Sequence, residues 1–400
     1  MRKKTRKRLP ATLIATAMAA FMLTGCSFVQ SDSASSGGNT SSAEPEASSA
    51  ESVAVAKTAA ADGTESQGSE NNDEKFMVGF SCYRNLEERY QREVDMFKAG
   101  FEAAGYDFTY QFANMDTNKE ITQVENMISS GADLLIINGG DSDADVRMVE
   151  ICKEAGVPCI AYDNVINTTD VDYLLTFDPV KTGEMMAKGV FENAPKGNYI
   201  VLYGDQANAL AQKIKIGNWN IIQEAVDNGD INVVMEQFVE GWDPNKAQEF
   251  VENALAANDN NIAGVIAPND GEAGGVVQAL LEQGLAGSVP VGGQDADLAA
   301  CKRIVDGTQT MTVYKNIINL NQAAVELSIA LLEGKDPKTE VSTELGEWGE
   351  YEMPDGGTVT LFSPEQIMVT KDNMMDTVIA LGYQTKEDVY ADIPKDQWPE

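Results

Sequence analysis

From Phe76 onwards the chain alternates short apolar runs with longer stretches whose apolar positions recur at helical spacing. Phe76–Ser81, Phe108–Phe112, Leu134–Ile137, Cys159–Tyr162 and Leu174–Phe177 read as strands. Leu86–Ala104, Asn118–Ser130 and Asp143–Ala155 read as helices, the first two stopped by Gly105 and Gly131. A second series keeps the same rhythm. Its helices are Val180–Asn193, Ala211–Asp227, Lys246–Ala257, Glu272–Gln283 and Leu298–Val305; its strands are Tyr199–Tyr203, Val233–Phe238, Ile262–Ala267, Val289–Val291 and Met311–Val313. A long helix, Asn319–Leu332, ends at Gly334, and two more strands follow, Val359–Phe362 and Ile367–Val369. Nearly continuous apolar strands need cover on both faces, and the intervening helices supply it. The pattern therefore predicts two α/β units, each a doubly wound parallel sheet.

The second unit places polar residues where its strands end. Asn269 and Asp270 follow one strand, Gln294–Asp297 follow the next, and Lys315 closes the third. In an open parallel sheet, ligands bind in the crevice beyond the carboxyl ends of the strands. An amide, carboxylates and an ammonium there form hydrogen-bonding forks suited to a polyhydroxylated molecule. The same residues also suit βα turns and helix caps, the reading preferred for Asp270 and Asp297.

Composition narrows the field. Met1–Arg8 carries six Lys/Arg, Leu9–Leu23 is apolar and small, and Leu23-Thr24-Gly25-Cys26 follows. That is the layout of a secretory signal over residues 1–26, with an apolar run too short for a stable membrane span. Residues 27–74 are rich in Ser, Ala, Gly and Glu with almost no large apolar side chain. They cannot bury enough surface to offset the entropy of ordering, and are expected to form a flexible tether. The roughly 325 residues that remain exceed one ordinary core, which points to two domains. The formal charge of −34 grows more negative once the signal is removed, and opposes nucleic acid or an anionic surface as a partner. The chain has no His, no G-x-S-x-G and no G-x-x-x-x-G-K-S/T. Ser-His-Asp and Cys-His catalysis, most zinc catalysis and P-loop chemistry are thereby removed, while an enzyme built on two carboxylates, such as a glycosidase, stays open. Cys82, Cys152, Cys159 and Cys301 are scattered and give no disulfide framework; buried thiols are expected at Cys152 and Cys159. No metal site and no cofactor is expected.

The strings PND-x-x-AGG-x-x-QAL from Pro268, GQDADLA from Gly293, KRI from Lys302 and GTQTMTVYK from Gly307 resemble the xylose-binding members of the type I periplasmic sugar-binding family. The likeness extends over roughly Lys75 to Tyr383. It implies two lobes joined by a three-segment hinge. The first lobe would comprise residues 75–180 plus about 316–336, the second 181–315 plus about 337–385, with an acidic tail at 386–400. It also implies a monomeric, non-enzymatic receptor that closes on a monosaccharide and delivers it to an ABC permease. Receptors of the same fold report sugars to membrane sensor kinases, and the binding lobes need not differ. The Leu-Thr-Gly-Cys ending resembles a bacterial lipoprotein signal, which implies lipidation of Cys26 and attachment to the extracytoplasmic face of the cell membrane.

In that family aromatic rings cover the flat C–H face of the sugar and planar side chains fork onto its hydroxyls. Carried over by motif, Glu88-Arg89-Tyr90 supplies a hydroxyl donor, Arg89, and a stacking ring, Tyr90. Glu240-Gly241-Trp242 stands for the family's Asp-Gly-Trp and makes Trp242 a second stacking ring. Asp163, Asn269, Asp295 and Lys315 match the remaining polar contacts. Two positions depart. Asn164 stands where the family has Arg, and Leu210 stands at a contacting Asn, with Asn208 two residues earlier as a substitute contact. Losing a charged donor and gaining an apolar side chain imply a ligand with a different hydroxyl pattern, or one bulkier or less polar. Xylose marks the ligand class only.

Overall fold

The computed structural model describes residues 75–85, 88–354 and 356–399. The expected signal, the lipidation at Cys26 and the tether lie outside these residues. Among the described residues, no helix is long and apolar enough to cross a membrane.

Strands β1 (Met77–Cys82), β2 (Asp107–Phe112), β3 (Leu134–Asn138), β4 (Cys159–Tyr162) and β5 (Tyr173–Leu175) run parallel in one sheet. Helices α1 (Glu88–Ala103), α2 (Thr117–Ser129) and α3 (Val146–Ala155) connect the first four of them. A second sheet begins after helix α4 (Pro179–Asn193). Its parallel strands are β6 (Gly197–Tyr203), β7 (Ile231–Phe238), β8 (Gly264–Ile266), β9 (Val291–Gln294) and β10 (Met311–Lys315). They are connected by α5 (Ala209–Asp227), α6 (Pro244–Ala257), α7 (Asp270–Glu282) and α8 (Leu298–Asp306), and α9 (Ile317–Glu333) follows β10.

Alternation within single strands explains the layering. Leu134 and Ile136 of β3 face the cluster built from α1 and α9, while Leu135 and Ile137 face the one built from α2 and α3. In β6, Ile200 and Leu202 meet α6 and α7, while Tyr199, Val201 and Tyr203 meet α4 and α5. Each sheet is thus buried on both faces, as its apolar strands require. The chain passes between sheets after β5, after β10 and again before its last strand, since α9 packs on the first sheet and not on the second that precedes it.

Two expectations need correction. Residues from about 337 to 385 do not all join the second lobe. The strands β11 (Glu347–Glu352) and β12 (Thr358–Ser363) extend the first sheet in the order β11-β12-β5-β4-β3-β1-β2. Only β13 (Gln366–Thr370) joins the second, antiparallel to β10, in the order β13-β10-β9-β8-β6-β7. The sequence reading missed β11 altogether, because EWGEYE at an open edge carries no continuous apolar run. Nor is the C-terminal stretch a free acidic tail. Val389 and Tyr390 are buried with Cys301 and Ile304 of α8, and Lys302 pairs with Asp392 at 3.0 Å. The charged residues are its solvent side. Cys82, Cys152, Cys159 and Cys301 are buried free thiols.

Helices α4 and α5 touch backbone to backbone. A Cβ on Gly183 would lie 2.1 Å from the Ile214 carbonyl oxygen, and one on Gly217 would lie 2.0 Å from that of Val180. Gly217→Ala is therefore expected to destabilise the fold by about 1–3 kcal/mol through overpacking. Urea denaturation of the variant against wild type measures this, and an unchanged midpoint would show that the two helices part freely.

Candidate functional site

The crevice predicted beyond the strand ends is a single cavity of about 270 Å³ between the two sheets. That is close to the ~300 Å³ at which small-molecule sites begin. Arg89, Tyr90, Asp163, Asn164, Asn208, Trp242, Asn269, Asp295 and Lys315 all line it. The first four come from the first lobe and the next four from the second, while Lys315 sits where β10 hands the chain back to α9.

At the charged end of the cavity lies the Arg89 guanidinium, which is only 2% exposed. Its Nε donates to Glu93 Oε1 at 2.8 Å, Nη2 to Asp163 Oδ2 at 2.9 Å, and Nη1 to Asp295 Oδ1 at 3.2 Å. One side chain therefore ties a carboxylate of the first lobe to one of the second. Lys315 Nζ adds a contact to Asp295 Oδ1 at 2.9 Å and stands 3.9 Å from Asp163 Oδ1. Burial alone would lower the Arg89 pKa, but Asp163, Glu93 and Asp295 outweigh it and hold the guanidinium well above its usual value. Burial likewise pushes Asp295 up, and Lys315 and Arg89 reverse that, leaving its carboxyl below the usual range. Burial wins at Glu93, whose pKa is raised despite Arg89. Two buried acceptors of the cavity lining at this end, Asp163 Oδ1 and Gln294 Oε1, receive no hydrogen bond.

Neighbouring strands aim these carboxylates. Asp163 N–H donates to Leu175 O at 2.8 Å, and Thr176 Oγ1 donates to Asp163 O at 2.5 Å. Asp295 N–H donates to Val313 O at 2.9 Å, while Ala296 N–H donates to Thr312 Oγ1 at 3.2 Å. Both aspartates, with φ of 61° and 103°, and Trp242, with φ of 52°, hold a backbone region that L-residues avoid. Non-glycine residues kept there cluster at ligand sites, where surrounding structure over-determines them.

Helix capping and cavity lining fall to the same residues. Asn269 Oδ1 accepts from Glu272 N–H at 2.9 Å and caps α7; Asn208 Oδ1 accepts from Leu210 and Ala211 N–H and caps α5. Asp270 is not the cap expected of it. Its carboxyl accepts from Gln309 Nε2 and Thr312 Oγ1, both at 2.8 Å, and from Asp297 N–H at 3.2 Å. Asp297 stands at the N-cap position of α8 without a side-chain cap bond. Asn164 turns into the protein: Nδ2 donates to Asn138 Oδ1 and Gly139 O, and Oδ1 accepts from Asn208 Nδ2 across the cleft at 2.9 Å.

Tyr90 is both wall and core, 7% exposed and packed with Val94 and Phe97. Half-buried Trp242 lies on Gly204, where a Cβ would come within 2.1 Å of the indole. Tyr83 lies the same way on Gly140. The sequence reading missed Tyr83, Arg84 and Phe177 in the lining. A glycine just past a strand end, as at Gly140 and Gly204, was the signal available for such rings. Arg84 adds a bond across the cleft, Nη1 to Gly241 O at 2.9 Å.

Paired α/β sheets joined by repeated crossings, with a polar cleft between them, define a two-lobed binding protein. The sequence accordingly matches the family described as the periplasmic binding protein domain over residues 78–336, and the chain belongs to that family. It is 40% identical over 313 residues to the D-xylose-binding periplasmic protein of Haemophilus influenzae, covering 78% of this chain and 92% of that one. It is 39% identical over 302 residues to the D-xylose-binding periplasmic protein of Escherichia coli, covering 76% and 89%. The crystal structure of a carbohydrate transporter solute-binding protein from Chloroflexus aurantiacus, in complex with D-glucose, superposes with a TM-score of 0.71 at 27% identity, over 78% of this chain and 98% of that one. These relatives are binding proteins by name, and this chain is a binding protein and not an enzyme.

Burial, with Asp295 nearby, raises the Asp270 pKa from 3.8 to about 7 against the opposing pull of Arg303, Thr312 and Gln309. A carboxyl raised on folding binds its proton more tightly in the folded state, so it withdraws stability as pH rises from about 4 to about 7. Asp270→Asn cannot titrate. The stability of wild type relative to this variant should therefore fall across that window and level off above it, as urea melts at pH 4.5, 6 and 8 would show. A constant difference would mean that Asp270 is not held from water as the structure places it.

Proposed function

We propose that this chain is an extracytoplasmic receptor that binds a monosaccharide between its lobes and delivers it to an ABC permease. The observation that carries this reading is the charged end of the cavity. There, both lobes bring carboxylates to one Arg and one Lys, and buried acceptors are left for hydroxyl donors. Hydrogen bonds with an ionised partner are roughly twice as strong as neutral ones. Trp242 and Tyr83 supply the apolar faces that a sugar ring stacks on. The D-xylose-binding names of the relatives and the glucose bound in the Chloroflexus protein agree with this chemistry. Ligand exchange requires the lobes to part about the three crossings, breaking the Arg89–Asp295 and Asn164–Asn208 contacts. Arg89, Asp163, Asn269, Asp295 and Lys315 then act as hydroxyl partners. Asn164 and Asn208 act by joining the lobes. The lipid on Cys26 would hold the receptor at the membrane through residues 27–74.

Calorimetry with pentoses and hexoses tests the ligand class: saturable heat with at least one monosaccharide is expected, and none would overturn the reading. Trp242→Ala should weaken that binding by about 2–4 kcal/mol, the scale of a buried aromatic anchor; unchanged affinity would make Trp242 a packing residue. Cys26→Ala should release the protein into the medium, because stable anchoring needs the acyl chains. Retention on membranes after a high-salt wash would remove the anchor from the proposal.

A further inference from the structure

The two ends of the cavity differ in what their polar groups are free to do. At the charged end, Asp163 Oδ1 and Gln294 Oε1 are buried acceptors without a hydrogen bond. Away from that cluster the lining includes hydrocarbon: Leu210, Ile214 and Pro179. These belong together in the fold. Leu210 and Ile214 are one turn apart on α5, and Ile214 abuts Gly183 of α4, whose first residue is Pro179.

The polar side chains bordering this wall are engaged elsewhere. Asn164 donates to Asn138 Oδ1 and Gly139 O and accepts from Asn208. Asn208 has its carbonyl oxygen on the first N–H groups of α5. Thr182 Oγ1 donates to Asp178 O at 3.0 Å and accepts from Gln366 Nε2 at 2.6 Å. A sugar hydroxyl brought against Leu210 and Ile214 themselves would lose water to face carbon, which is unfavourable. A methyl group there would instead bury apolar surface.

Resting on the proposed monosaccharide function, we infer that the ligand is a 6-deoxyhexose, a pyranose whose exocyclic carbon is a methyl group lying against Leu210 and Ile214 while its ring hydroxyls meet Asp163, Asp295 and Gln294. A hexose places its hydroxymethyl oxygen against hydrocarbon, and a pentose leaves the wall uncovered. The chain discriminates by one oxygen in the first comparison and by one carbon in the second.

Titration calorimetry with sugars matched in ring stereochemistry isolates each difference. The gluco series is D-glucose, 6-deoxy-D-glucose and D-xylose; the galacto series is D-galactose, D-fucose and L-arabinose; the L-manno series is L-mannose, L-rhamnose and L-lyxose. In whichever series binds, the 6-deoxy sugar should exceed both partners by about 10–100-fold, the range one group commands in an apolar pocket. Leu210→Asn, checked for an unchanged melting temperature without sugar, should bring the hexose and its 6-deoxy partner within a fewfold of each other. If a hexose or pentose in a binding series matches or exceeds its 6-deoxy partner in wild type, this inference is overturned and the sugar receptor stands. If no sugar of any series binds, this inference is overturned, and the sugar receptor falls with it only if the remaining pentoses and hexoses are silent too.

Discussion

The contacts of one guanidinium tie the two lobes together across the cleft. Arg89 lies at the start of α1 in the first lobe, and its nitrogens reach Glu93 and Asp163 on its own side and Asp295 on the other. A cation this deeply buried is unfavourable unless carboxylates surround it, and carboxylates this buried are unfavourable without the cation. Each lobe alone carries only part of the set. Asp295 has Lys315 beside it within the second sheet, and gains Arg89 only where the two lobes meet. Arg89 completes the electrostatic circuit across the cleft, where no single lobe supplies all of its partners.

The strands around this circuit are built to keep it in place. Asp270 sits behind Asp295 and binds Thr312 Oγ1, which in turn receives Ala296 N–H. On the facing side, Thr176 fixes the carbonyl of Asp163. The unusual backbone angles at Asp163 and Asp295 are thus supported by neighbouring strands of each sheet. Rigid placement of a charged fork lowers the ordering entropy lost when a ligand is bound.

Asn164 and Leu210 give the cleft its second character. The exchange of a charged side chain for a short amide does not leave a gap in the hydrogen-bonding pattern. Asn164 joins Asn138 and Gly139 to Asn208 and so to the first turn of α5. Leu210 follows two residues later and packs against the first lobe's core beneath α2 and α3. Closure at this side is therefore made by amide pairing and hydrocarbon, and at the Arg89 side by charge.

The order of strands and helices, the cover on both sheet faces and the gathering of polar residues at strand ends all follow from the sequence, because periodicity and turn chemistry are local properties. Of the nine side chains at the cavity, Asn269, Asp295 and Lys315 were identifiable for the same reason, while Arg89, Tyr90, Asp163, Asn164, Asn208 and Trp242 were identifiable only through the family resemblance. Local pattern could not assign β11 and β12 to the first sheet, since β11, an edge strand facing water, has little apolar signal and the pairing of β12 with β5 is a long-range choice. Nor could it show that Val389 and Tyr390 dock on α8 beneath an acidic surface. The direction in which Asn164 points was likewise settled only by folding. An amide can serve a ligand or the protein equally well, and the approach of Asn138, Gly139 and Asn208 from three distant stretches of chain decides between them.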